Sequence, residues 1–161
     1  MGDAVLKFAE SPAAADCRHL VLVWGDIPLI HPDTLSELVA AHLEAGNTFT
    51  FATRHVDAAY TVVSRSEDGE VESILETREA GQSGMKTGER DIGLFVFQWQ
   101  PVLAALQEGA PGKFGKATGE HGFLYVVGHL VRKGFRVEAL PVAREQDLVS
   151  LNSLSDLDVH I

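Results

Sequence analysis

The sequence predicts a three-layer α/β sandwich with a mostly parallel sheet, on three observations. A continuous apolar run at residues 19–24 (HLVLVW) reads as a strand covered on both faces. Apolar strands and helix-patterned segments then alternate down the chain. An Asp68-Gly69 turn between two short apolar runs marks one hairpin in the middle. The 161 residues suit one domain, and 45% hydrophobic with 22% charged residues is ordinary globular usage, which excludes wholesale disorder, collagen and coiled coil.

Residues 4–8 read as the end of an amphipathic helix, closed by Ser11-Pro12. The strand at 19–24 ends at Gly25-Asp26-Ile27-Pro28. A helix starts near Pro32, because proline suits the first helical position. Asp33 and Glu37 sit near its positive end, and Leu35, Leu38, Val39, His42 and Leu43 share its apolar face. Gly46-Asn47 stops it. Residues 48–53 alternate threonine with Phe49 and Phe51 and form a second strand, and residues 60–64 and 71–75 are the hairpin arms. Residues 81–90 are polar, contain glycine and lack periodicity, so they read as a loop. Residues 91–97 (DIGLFVF) are another apolar strand, and a short helix opens over 101–106. A glycine-rich stretch over 109–119 precedes a helix at 120–133, which carries Phe123, Val126, Val127, Leu130 and Val131 on one face and stops at Gly134. Residues 136–142 are a last strand, and 152–161 begin a final helix.

Thirteen basic and 23 acidic residues give a net charge of −10. That sign disfavours nucleic acid and anionic membranes as partners. A small anionic ligand would need a metal ion or local basic groups to offset the field. Cys17 is the single cysteine, so no internal disulfide forms, and a reducing, cytoplasmic location fits. Cys17 is either a nucleophile beside Arg18 and His19 or a small residue at a strand entrance. The start of the chain lacks the basic and long apolar regions of a signal peptide, and the apolar stretch at 122–131 is too short to span a bilayer. His42 reads as a packed imidazole, and the remaining histidines show no zinc-ligand spacing such as H-E-x-x-H.

The strongest chemical signal is Asp26, immediately beyond an apolar strand. Ligands of open α/β sheets sit outside the carboxyl ends of strands. A carboxylate there can hold a divalent metal over a phosphate, or it can fix a turn before Pro28. From the residues alone the two readings stand level. Lys113 and Lys116, set among glycines, either bind phosphate or lie on a solvated loop. Lys86 and Arg90 raise the same question in the other loop.

Gly25-Asp26-Ile27-Pro28-Leu29-Ile30 resembles the G-D-x-P-L-I segment of the sugar-phosphate nucleotidyltransferases, most of all the uridyltransferase domains of the bacterial UDP-N-acetylglucosamine pyrophosphorylase type. The likeness runs over nearly the whole chain. Residues 73–80 (SILETREA) are similar to the family's V-E-x-K-D-A segment, and Asp91-Ile92-Gly93 falls at its N-T-G. Gly119-Glu120 and the helix that follows resemble G-E-Y-Y-x-T-D, and Leu151-Asn152-Ser153 falls at V-N-[NT]. The resemblance implies Asp26 and Asn152 as ligands of one Mg²⁺, although Asn152 also reads as a helix N-cap. It implies Glu76, Asp91, Gly93 and Tyr60 on the sugar side of the same cleft. Read alone, Glu76 is a solvated acid at a strand end.

The departures from the family pattern are specific. The 161 residues contain no G-x-G-T-R-M nucleotide loop, and Gly2-Asp3-Ala4-Val5 resembles a family segment that lies downstream of that loop. Tyr60-Thr61-Val62 stands at the family's Y-G-R, Asp91 stands for its asparagine, and Gly122 and Leu124 replace the helix tyrosine and threonine. The resemblance therefore implies a Rossmann-like nucleotide-diphospho-sugar transferase fold without its first strands. The expected partner is a sugar phosphate or nucleotide sugar, and the chain alone is expected not to turn over. The other readings are a non-catalytic sugar-phosphate-binding or interaction module of that fold, or a fragment of a longer polypeptide. The exposed edge of such a sheet also invites self-association or a covering segment.

Overall fold

The computed structural model describes residues 1–77, 86–116 and 119–151. Helix α1 (Gly2–Phe8) leads to strand β1 (His19–Val23) and helix α2 (Pro32–Ala45). Strands β2 (Phe49–Ala59), β3 (Thr61–Arg65), β4 (Val71–Glu76) and β5 (Lys86–Gln98) follow. Helices α3 (Trp99–Gln107) and α4 (Tyr125–Arg132) then precede strand β6 (Val137–Leu140). The main sheet has the order β1-β5-β2-β6. β5 runs antiparallel to both β1 and β2, and β6 runs parallel to β2. Three of the four strands therefore share a direction, and β5 alone opposes them. β3 and β4 form a separate antiparallel hairpin.

Alternation along the central strands supplies both cores. Phe49, Phe51, Phe95 and Phe97 point to one face, where Val102, Leu106, Val126 and Leu130 from α3 and α4 cover them. The Phe49 and Phe97 rings stack with centroids 5.4 Å apart, and Phe123 packs edge-on to Phe95 at 5.4 Å. Ile92, Leu94 and Val96 point to the other face, against Leu38 of α2. That is the expected three-layer arrangement. Helix α2 starts and stops as its sequence predicts. His31 Nδ1 accepts the Asp33 N–H at 3.1 Å, Pro32 opens the helix, and Gly46 ends it at φ 62°. The Asp68-Gly69 turn closes β3 onto β4, with Gly69 at φ 84°.

Two expectations need correction. Residues 86–90 are strand, not loop, because β2 continues to Ala59 and pairs with them through Arg54↔Arg90, His55↔Glu89 and Val56↔Gly88. The helix expected at 120–133 is Tyr125–Arg132. The residues before it fold back on the glycine-rich stretch, with Gly115 N–H on the Glu120 carbonyl at 3.0 Å and Gly122 N–H on the Lys113 carbonyl at 2.9 Å. The final helix expected over 152–161 lies outside the described residues. Among the described residues no helix is long and apolar enough to cross a membrane.

Candidate functional site

Asp26 follows β1 at the carboxyl end of the strand and is half-buried. Its Oδ2 accepts the Ser150 hydroxyl at 2.8 Å, and its backbone carbonyl accepts the Leu151 N–H at 2.7 Å. The segment beyond β6 thus returns to the end of β1. Asp147 holds that return in place. It is 1% exposed, and its carboxylate accepts the His31 N–H (2.6 Å), the Thr34 hydroxyl (2.6 Å) and the Arg144 N–H (2.7 Å). Asn152, the expected second metal ligand, lies outside the described residues. Leu151 immediately precedes it.

Beside Asp26 the sheet carries a bulge. Phe51 opposes Phe95, but Thr53 opposes Asp91, so two extra residues sit on β5 around Gly93. Bulges of this kind re-aim side chains next to binding sites. Gly93 adopts φ 75°, and its carbonyl accepts the Trp24 N–H at 3.0 Å. A Cβ at Gly93 would lie 2.9 Å from the Trp24 ring, so only glycine fits there.

The bulge turns Asp91 inward, where it is 2% exposed. The Thr61 hydroxyl donates to its Oδ1 at 2.6 Å and the Gly93 N–H to its Oδ2 at 3.0 Å. Burial pushes the carboxyl above its ordinary range, against the pull of these two hydrogen bonds and of Arg90. Thr61 pairs with Glu76 across the hairpin. Tyr60 is 52% exposed, its carbonyl accepts the Thr77 N–H at 2.8 Å, and the Arg90 guanidinium lies 5.1 Å from its ring centre.

Trp24 and Gly93 therefore link the Asp26 end of β1 to a neighbourhood that gathers Tyr60, Thr61, Glu76 and Asp91. Lys113 lies elsewhere. Its ammonium donates to the Leu106 and Glu108 carbonyls at 2.7 and 3.0 Å, where a cation suits the negative end of α3. Lys116 is exposed on the same loop. Sequence reasoning missed Asp147, Ser150 and the role of Thr61, each of which has a site partner 30 or more positions away that no local motif reveals. A cavity of about 530 Å³ opens between β6 and the hairpin, lined among others by Arg65, Phe135 and Glu138 and by none of the expected site residues.

No family model matches the chain. Among curated proteins it is 33% identical over 159 residues to the bifunctional protein GlmU of Leifsonia xyli, a match that covers 97% of this chain and 32% of that protein. It is 31% identical over 135 residues to the GlmU of Corynebacterium glutamicum, covering 83% of this chain and 27% of that protein.

The chain belongs to the sugar-phosphate nucleotidyltransferase family.

It spans about a third of the length of these relatives. The fold agrees with this placement. An apo UDP-glucose pyrophosphorylase superposes with a TM-score of 0.66 at 16% identity, over 99% of this chain and 59% of that one. A putative glucose-1-phosphate thymidylyltransferase from Bacillus anthracis gives 0.65 at 14% identity, over 89% and 52%.

Proposed function

We propose that this chain is the acceptor-side part of a nucleotidyltransferase of the UDP-N-acetylglucosamine pyrophosphorylase type. That reaction joins UTP and N-acetylglucosamine 1-phosphate and releases pyrophosphate. The observation that carries the reading is Asp26 at the end of β1, bound by the returning segment at 150–151. The donors suit Mg²⁺, which takes one or two protein oxygens and keeps its other positions for phosphate and water. Asp26 would hold it, with Asn152 as the neutral second ligand. When bound, the ion neutralises phosphate charge. The protein's own part is to position groups. Ser150 orients the Asp26 carboxylate, Asp147 anchors the segment that delivers Ser150, and Glu76 and Tyr60 offer polar groups to the sugar.

One observation favours a second reading, a binding module of the same fold without catalysis. Both Asp91 oxygens are occupied inside the protein, and the carboxyl is buried. It therefore offers a sugar hydroxyl nothing, unlike the asparagine the family carries there. A cytoplasmic location fits either reading.

Calorimetry distinguishes binding from its absence. The first reading expects N-acetylglucosamine 1-phosphate or UDP-N-acetylglucosamine to bind more tightly with Mg²⁺ than without it, and Asp26→Asn to abolish the Mg²⁺ effect. Binding that ignores both Mg²⁺ and Asp26→Asn would remove the metal role.

A further inference from the structure

We propose that the cavity between β6 and the β3–β4 hairpin is a second ligand site, which takes a small α-amino acid with an apolar side chain. Its volume of about 530 Å³ is that of a small-molecule pocket. The cavity opens beside the start of β6, whereas Asp26 follows the end of β1, and the two strands run the same way through the sheet. It therefore lies at the opposite end of these strands from Asp26.

Its polar wall carries an unspent acceptor. Asn47 is 2% exposed, and its amide nitrogen donates to Thr50 Oγ1 at 3.1 Å and to Glu138 Oε2 at 2.6 Å. Those bonds settle which end of the amide is the nitrogen, so Oδ1 is the atom left over, and no described residue donates to it. An amide oxygen so buried and without a donor is uncommon in a folded protein. Glu138 Oε1 likewise accepts no hydrogen bond from the described residues. Two neighbouring acceptors call for a group that only donates, and an ammonium is such a group. Charge agrees. Arg65 lines the cavity but is paired with Glu89, which leaves Glu70 and Glu138 against Arg136.

Arg136 supplies the other half of the site. Its Nη1 donates to the Ala45 carbonyl at 2.6 Å, which fixes the guanidinium at the end of α2, and its Nε and Nη2 have no acceptor among the described residues. Positions 136 and 138 are two apart in extended chain, so their side chains leave one face of the strand with Cα atoms about 6.6 Å apart. That spacing admits one ligand between a cation and an anion. An α-amino acid sets its ammonium against Glu138 and Asn47 and its carboxylate on the Arg136 fork. Its side chain then meets the apolar wall of Val71, Val131, Val137 and Phe135, of which Phe135 is 39% exposed.

L-Leucine is the probe, with binding read by calorimetry and by the NMR signals of the Asn47 side-chain amide. It should bind with a Kd below about 1 mM and shift those signals. N-acetyl-L-leucine lacks the ammonium and L-leucinamide lacks the carboxylate, so each should bind at least about tenfold more weakly. Glu138→Gln should weaken L-leucine by a similar factor with an unchanged circular dichroism spectrum, and Asp26→Asn should leave its binding as it is. The analogue series needs only wild-type protein, so it decides even where a variant fails to fold. Neither heat nor a shift with L-leucine overturns the proposal. Equal binding of the three compounds would mean that the apolar wall alone holds them, which overturns the amino-acid reading. Loss of L-leucine binding in folded Asp26→Asn would place the ligand at the other end of the sheet and overturn the site.

Discussion

His42 is a fully buried imidazole on α2, and its surroundings fix its protonation. Its Nε2 lies 2.9 Å from His19 Nδ1, and its Nδ1 lies 2.9 Å from the Thr50 hydroxyl. Burial, and then the neighbouring His19, push its pKa down to about 4. The folded protein therefore resists a proton that the unfolded chain accepts near pH 6.5. Above that pH the imidazole is neutral in both states and its folded contacts count in full. As pH falls from 6.5 towards 4, the unfolded state gains the proton first, and stability falls by up to about 1.4 kcal/mol per pH unit from this group. Below about 4 both states are protonated and the loss is complete. Urea unfolding at a series of pH values should show this slope in the wild type, and His42→Gln should flatten it. Identical slopes in the two proteins would mean that His42 titrates normally. The periodicity of α2 placed this histidine on the apolar face, which was enough to read it as packed. It could not disclose His19 and Thr50, which reach it from two different strands.

Among the elements, the β3–β4 hairpin is held by the burial of Val63, Val71 and Ile74 in the phenylalanine core, by the Thr61 hydrogen bond to Asp91, and by Arg65. Arg65 donates to Glu89 of β5 through Nε at 2.7 Å and Nη2 at 2.8 Å, to the Gly69 carbonyl in its own turn, and to the Ala139 carbonyl of β6. Glu89 also accepts the Thr53 hydroxyl at 2.6 Å. Burial alone would raise the Glu89 pKa, but the Arg65 and Thr53 hydrogen bonds outweigh it and bring it below the usual carboxylate value. The pair is partly shielded, with side-chain exposures of 32% and 13%, so it exceeds an ordinary surface ion pair. Arg65→Ala should cost about 1–3 kcal/mol, and a double-mutant cycle with Glu89→Gln should show positive coupling. Additive single effects would show that the hairpin is held by other contacts. This attachment also explains what was illegible in the sequence. HLVLVW, Pro32, Gly46 and Asp68-Gly69 act on their own neighbours, so pattern reading found them. Residues 86–90 become strand only because β2 is there to pair with their backbone, and polar side chains give no sign of that. Asp91 is marked in the sequence only by its place at the family's N-T-G, and its burial follows from a bulge and a threonine 30 positions away.

At the scale of the whole molecule the governing quantity is charge. The chain carries −10, and a nucleoside triphosphate would bring several more negative charges to the end of β1. The family resemblance assigns that load to a glycine-rich loop with basic residues, and no such loop occurs in the 161 residues. Several of the described cations are already engaged elsewhere. Lys113 caps α3, Arg65 is held by Glu89 and backbone carbonyls, and Arg144 contacts Asp33 and Glu37 at 3.3 and 3.0 Å. Removing a single preorganised donor to developing charge costs about 2.7–4 kcal/mol in well-studied enzymes, and here a whole set is missing. A misplacement of about 1 Å in the reacting geometry adds a loss on the order of 100-fold. The purified chain with UTP, N-acetylglucosamine 1-phosphate and Mg²⁺ should therefore release no pyrophosphate above the uncatalysed rate. Turnover near about 1 s⁻¹, the low end of ordinary enzymes, that vanished in Asp26→Ala would overturn this expectation. It would mean that backbone N–H groups and a cation from another part of the chain neutralise the triphosphate. The glycine-rich stretch at 109–119 with its exposed Lys116 would then be the first place to mutate.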